Sequence, residues 1–153
     1  VALRYFNIYG PDQNPDSPYS AAIPKLIRSM QTGDPATVTG DGSGSRDFTF
    51  IDDAVEANIL AATVPEARGE LFNVARGEQV TINELVRTIN QALGTSIAPA
   101  YGLERPGDIK HSLADISKAR TILGYDPKVS LIEGVRRTAE SMRAASPTKK
   151  SRR

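Results

Sequence analysis

The 153-residue chain has no cysteine, no tryptophan and a single histidine, His111. Without cysteine there can be no disulfide, no thiolate zinc site and no cysteine nucleophile. One histidine cannot build a histidine-rich metal cluster, so no metal is expected. No apolar run approaches the roughly 18 residues of a membrane-spanning helix, and no membrane partner is expected. Charge of one sign is also lacking. The net charge is +1, and four of the positive charges (Lys149, Lys150, Arg152, Arg153) fall in the last five residues. The body is slightly acidic and has no broad electrostatic footprint for nucleic acid. The opening Val-Ala-Leu-Arg-Tyr-Phe is no signal-peptide pattern, and a soluble, cytoplasmic chain is expected. Several catalytic signatures are missing too: no P-loop, no G-x-S-x-G, no G-x-G-x-x-G, and no tyrosine followed four residues later by lysine.

What is present begins with a surprise at position 1. The run 1–6 is apolar, β-branched and aromatic apart from Arg4, which is how a buried strand reads. Few domains open on such a strand, and the expectation is that residues upstream of Val1 have been removed. A polar loop rich in Pro, Asp and Asn follows to Pro18. Ile23, Leu26, Ile27 and Met30 then recur at helical spacing within 19–31, with Gly33 past the end. A short strand is predicted at 37–39, a hairpin turn at 40–45, an alternating strand at 46–51 and a helix capped by Asp52 running to Thr63. Residues 71–75 read as a second buried strand. Thr81-Ile82-Asn83-Glu84 is a capping box opening a helix that stops before Gly94. A strand within 97–101 and a short helix capped by Asp115 and ending at Gly124 come next. A further capping box at Ser130 to Glu133 opens a helix to Arg143. Residues 144–153 read as a disordered basic tail, leaving 1–143 as one domain. Helices alternating with short strands suggest α/β or α+β.

The polar groups set among these elements have both plain and functional readings. Asn7 ends a hydrophobic strand, where α/β folds gather ligands, yet it also suits a turn residue bonding its own backbone. Arg46 and Arg105 are loop arginines able to grip phosphate by paired hydrogen bonds, though a lone surface arginine is commonly just solvated. With Asn7 they form one possible diphosphate site. The glycines at 40, 42 and 44 precede a strand rather than a helix, so they read as turn chemistry. Asp52 and Asp53 read as a helix cap and a first-turn carboxylate.

Four segments in order then carry a resemblance. They are Arg4-Tyr5-Phe6-Asn7-Ile8-Tyr9-Gly10-Pro11, Arg46-Asp47-Phe48-Thr49-Phe50-Ile51-Asp52-Asp53, Phe72-Asn73-Val74-Ala75 and Arg105-Pro106-Gly107-Asp108. Together they resemble the C-terminal half of the extended short-chain dehydrogenase/reductases, the NAD-dependent epimerase/dehydratase family, in particular its UDP-hexose 4-epimerases. The resemblance covers nearly the whole chain. It implies an α/β fold: a C-terminal substrate-binding lobe plus two strands of a Rossmann-type sheet whose N-terminal part is absent. It further implies that the dinucleotide fingerprint and the Tyr-x-x-x-Lys catalytic set lie upstream, so no catalytic residue is assigned here.

Carried over by position, the resemblance puts Tyr5 and Phe6 beside the nicotinamide of NAD, largely through their backbones. Asn7 would bond the substrate diphosphate or sugar, Ala22 and Ile23 would border the nucleotide, and Thr37 and Val38 would face the uracil. Arg46 and Arg105 would clamp the phosphates, and Asp108 would take a ribose hydroxyl. Ser112 falls where relatives restricted to non-acetylated sugars carry tyrosine, which implies room for N-acetylated sugars. In the family, NAD takes hydride from C4 of the sugar, the keto intermediate turns over, and hydride returns to the other face. The chain alone is expected to be inactive, its intact form to be a homodimer, and its exposed strands to drive self-association. A nucleotide-sugar dehydratase, a decarboxylase or a non-catalytic binding module are the other readings.

Overall fold

The computed structural model describes residues 1–16, 22–104 and 107–145. Its strands are short and pair two by two. Strand β1 (Ala2–Tyr5) lies parallel to β6 (Leu71–Val74), and β2 (Ile8–Tyr9) lies parallel to β5 (Thr49–Phe50). Strand β3 (Thr37–Thr39) is parallel to β8 (Ala100–Gly102), and β4 (Ser45–Arg46) is antiparallel to β7 (Val80–Thr81). Four helices of ten or more residues connect them: α1 (Ala22–Gln31), α2 (Ile51–Thr63), α3 (Ile82–Leu93) and α4 (Leu131–Ala145). The architecture is mixed α/β.

Two hydrophobic cores form. In the first, Ile23, Ile27 and Met30 of α1 meet Leu85 and Ile89 of α3, Val135 of α4 and the rings of Tyr9, Phe48 and Phe50. The i, i+4, i+7 spacing of the α1 residues puts them on one face. Gly134 lets α4 press onto that aromatic group, since a Cβ there would lie 2.8 Å from Phe50 Cδ2. The second core joins Ala54, Ala57 and Ala61 of α2 to Phe72 and Val74 of β6 and to Ala119, Leu123 and Tyr125. Small residues on the inner face of α2 let it lie close over the β1–β6 pair.

Helix α3 has the capping box its sequence predicts. The Glu84 N–H donates to Thr81 Oγ1 at 3.1 Å, and the Thr81 N–H donates back to Glu84 Oε2 at 2.8 Å. Gly94 ends the helix in the left-handed region at φ 69°. Asp115 caps the next short helix by accepting from the Ser117 N–H, and that helix closes with a π-type turn (Ala119–Leu123) before Gly124.

Several expectations are corrected. The run 40–45 is no hairpin, because β3 and β4 pair with β8 and β7 instead of each other. The glycine turn is drawn onto the start of α3, where Ile82 and Asn83 donate to the carbonyls of Gly44 and Gly42. The strand read at 46–51 breaks in two because Asp47 turns fully inward. Helix α2 starts at Ile51 with Phe50 at its N-cap, and Asp52 pairs with Arg137 at 2.8 Å rather than capping. The box at Ser130 is half made: the Glu133 N–H donates to Ser130 Oγ, while the Glu133 carboxylate goes to Arg136. Residues 1–6 form a strand as read, but it is mostly exposed, because β1 is paired on one edge only. Residues 144 and 145 are still helical, and the tail read at 146–153 lies outside the described residues, as does the start of the helix read at 19–21.

Candidate functional site

A cavity of about 720 Å³ opens between α1, β3, the glycine turn, β4 and the segment after β8. Each wall has a local cause. Asn7 follows β1 in the left-handed region at φ 41°, a costly conformation for a non-glycine residue. Its Nδ2 donates to the Asp47 carbonyl at 2.9 Å, and its own carbonyl accepts from the Thr49 N–H. The amide is thereby held at the strand tip, and its Oδ1 has no hydrogen-bond partner among the described residues.

Arg46 is positioned from behind. Its Nη1 donates to the carbonyls of Ser45 (2.8 Å) and Lys110 (3.1 Å), and Nη2 and Nε have no partner among the described residues. The segment 110–112 is stitched to β4 by the Ser45 N–H to Lys110 carbonyl bond and the Ser112 N–H to Ser45 carbonyl bond. His111 Nδ1 adds a contact to Ser45 Oγ at 2.8 Å. Asp47 anchors the corner. It is 0% exposed, and its carboxylate accepts from the backbone N–H groups of Arg76, Gly77 and Ala114 at 3.0–3.3 Å. Burial is the largest influence on this carboxyl and raises its pKa, against the pull of those donors.

Of the residues singled out from the sequence, Asn7, Ala22, Thr37, Val38, Arg46 and Asp108 all line this one cavity. They come from five separate stretches of chain. Arg105 lies outside the described residues, although Glu104 and Gly107 on either side of it both line the cavity. Ile23 is fully buried in the first core: it falls on the inward face of α1, one position past the cavity-lining Ala22. Ser112 is half-buried beside β4 and is not part of the lining. Tyr5 and Phe6 lie elsewhere as well. The Tyr5 hydroxyl donates to Asn58 Oδ1 on α2, and Phe6 packs against the second core.

The lining also includes Lys25, Asp41, Glu104 and Lys110, which the sequence reading did not single out. Lys25 sits one turn beyond Ala22 on a helix whose neighbours Ile23, Leu26 and Ile27 face the core. That outward position was a usable signal. Asp47 was quoted within a motif yet given no role, because burial of a carboxylate cannot be read from one residue type. Burial pushes the phenols of Tyr9 and Tyr125 above the ordinary tyrosine range. Among the described residues no cluster of acidic, histidine or cysteine side chains could hold a metal ion. No helix there is long and apolar enough to cross a membrane.

A second groove, about 390 Å³, runs between β1 and α2, lined by Val1, Leu3, Tyr5, Asn58, Ala61 and Ala62. The Ala2 and Phe6 N–H groups donate to β6 and its preceding turn. In a parallel ladder alternate residues face a given neighbour, so the backbone groups of Leu3 and Tyr5 point to the open edge.

Residues 1–75 match the NAD dependent epimerase/dehydratase family. The chain is 35% identical to a UDP-glucose 4-epimerase of Mycolicibacterium smegmatis over 140 residues, which is 92% of this chain and 44% of that protein. It is similar in structure to the UDP-N-acetylglucosamine 4-epimerase of Methanobrevibacter ruminantium, solved with UDP-N-acetylmuramic acid. There the TM-score is 0.88 at 41% identity, over 95% of this chain and 46% of the other. The UDP-glucuronic acid 4-epimerase of Bacillus cereus, solved with UDP-glucuronic acid and NAD, gives a TM-score of 0.87 at 36% identity, over 95% and 46%. The chain spans less than half the length of these proteins. Its first 75 residues carry that family's match, and its fold corresponds to the C-terminal part of these epimerases.

Proposed function

We propose that the cavity holds the nucleoside diphosphate of a UDP-sugar, and that the chain is the substrate-anchoring part of an NAD-dependent 4-epimerase. The observation that carries this reading is the convergence of Asn7, Ala22, Thr37, Val38, Arg46 and Asp108 on one cavity. Each residue type suits its place. Arg46, supported by Lys25, Lys110 and the loop arginine Arg105, meets the two phosphates with charge-assisted donors. Strand β3 offers backbone groups to the edge of the base, and Asp108 accepts from a ribose hydroxyl. The Asn7 amide reaches the diphosphate or the first atoms of the sugar.

Anchoring the diphosphate while the sugar is free to turn is a positioning contribution. NAD, when bound, supplies the hydride chemistry. Tyr5 fits a place beside it, since its backbone groups face an open edge. Phe6 fits only as a support: its N–H goes to Val74 and its carbonyl accepts from Thr49 Oγ1. The remainder of the dinucleotide site falls to an N-terminal half whose sheet continues from the open edge of β1. The chain by itself accordingly turns over no substrate. Ser112 does not line the cavity, so the expected room for an N-acetyl group finds no support in this geometry.

Calorimetric titration of the chain with UDP tests the anchor directly. Weak, saturable binding that Arg46→Ala abolishes is expected. Unchanged binding in Arg46→Ala, or conversion of UDP-galactose by this chain with added NAD, would refute it.

A further inference from the structure

Three carboxylates, Asp41, Glu104 and Asp108, line the cavity, and they differ in what they have left to give. Asp41 is already engaged: its Oδ1 accepts from the Ser43 N–H at 2.9 Å and from the Ser43 hydroxyl at 2.6 Å. Glu104 and Asp108 line the same wall and have no hydrogen-bond or ion-pair partner among the described residues.

The place of Glu104 is built by a glycine. Strands β3 and β8 run in register to Thr39 and Gly102, and the Gly40 N–H extends the ladder by donating to the Gly102 carbonyl. Two residues on, the Glu104 side chain lies across Gly40. A Cβ on Gly40 would sit 2.8 Å from Glu104 Cγ and 3.2 Å from Oε1. Gly40 also has φ +65°, so no ordinary residue relieves the position. The carboxylate is therefore laid against the cavity wall just past the strand read as the base-binding edge. Asp108 approaches the same wall four residues later.

The geometry points to Glu104 as a specificity residue. It takes the 2′-hydroxyl of the ribose while Asp108 takes the 3′, so that the cavity selects a ribonucleoside diphosphate over its 2′-deoxy counterpart. The inference rests on the reading of the cavity as a nucleoside diphosphate site. A carboxylate only accepts hydrogen bonds, and two accepting groups on one wall match a vicinal diol with two O–H donors. Removing one hydroxyl takes away a hydrogen bond to a charged acceptor, which contributes more than a neutral one.

UDP and dUDP differ by one hydroxyl and serve as the probes, titrated calorimetrically into the whole chain up to millimolar concentration. UDP is expected to bind about tenfold or more tighter than dUDP, the range for one hydrogen bond to a charged group. Glu104→Ala, at an exposed position, is expected to bring UDP down to the affinity of dUDP while leaving dUDP nearly unchanged. Equal binding of the two nucleotides by the native chain would overturn the inference. So would equal weakening of both by Glu104→Ala, which would set Glu104 against a group the two nucleotides share. Saturable UDP binding with no discrimination refutes the role of Glu104 and spares the cavity reading. No binding of either nucleotide refutes the cavity reading, and the inference with it.

Discussion

Replacing Asp47 by alanine is the sharpest test of how the site is held. Its carboxylate is completely enclosed and meets three main-chain donors, from Arg76, Gly77 and Ala114, without a cation among its hydrogen-bond partners. Asp47→Ala strands those donors. A buried polar group left unpaired costs about 1–3 kcal/mol. Three such groups, less the relief of no longer burying a charge, give a loss of about 3 kcal/mol or more. Against a total stability of about 5–15 kcal/mol for a domain, that is a large fraction. Urea denaturation followed by far-ultraviolet circular dichroism reads it as a midpoint lowered by about 1–3 M at unchanged slope. Asp47→Asn keeps the volume and one acceptor oxygen, and is expected to fall between the alanine variant and the native chain. A loss below about 1 kcal/mol for Asp47→Ala would refute the argument, since it would mean that water or the solvated backbone replaces the carboxylate at little cost.

Other outcomes follow from the same structure. Gly134→Ala gains about 1 kcal/mol of helix propensity but drives a methyl group into Tyr9 and Phe50, so a net loss of about 1–3 kcal/mol in thermal or urea unfolding is expected. The pH dependence has two opposing parts. Burial raises the Asp47 carboxyl, so the native chain holds a proton there that the unfolded chain has lost; that stability is present below the ordinary carboxylate range and fades as pH rises through the raised value. The Thr81 and Ser117 donors lower Glu84 and Asp115, whose contributions are present above the ordinary range and lost as pH falls. Asp47→Asn should therefore steepen the loss of stability on acidification, and an unchanged slope would contradict the direction given for Asp47. Finally, Val55 and Ile59 are 49% and 58% exposed on α2. If this face drives self-association, Val55→Lys with Ile59→Lys should shift sedimentation toward monomer without lowering stability.

Local rules carried the sequence reading wherever the determinants were local. The capping box at Thr81, the left-handed stops at Gly94 and Gly124 and the inward stripe of α1 could all be found from spacing. Pairing could not. The glycine turn at 40–44 had every mark of a hairpin, yet the start of α3 offered its carbonyls better partners than an antiparallel strand. Asp52 looked like a cap, but a guanidinium more than eighty residues away took its carboxylate. For the cavity, the polar residues were legible by type, and their convergence depended on Asp47, whose importance comes entirely from being enclosed. Ile23 shows the opposite failure: adjacency to Ala22 in sequence turned it about a hundred degrees round the helix and into the core.

The two hydrophobic clusters divide the labour of the molecule. Most cavity-lining elements hang from the cluster built on α1, α3 and α4, whereas the β1–β6 pair is upholstered by the alanines of α2. Such a partition lets the cavity-lining portion stay assembled while the strand pair breathes, and amide exchange in Leu3 and Tyr5 would then outpace exchange in β3. A molecule organised this way keeps the walls of its cavity together whatever happens at the strand pair.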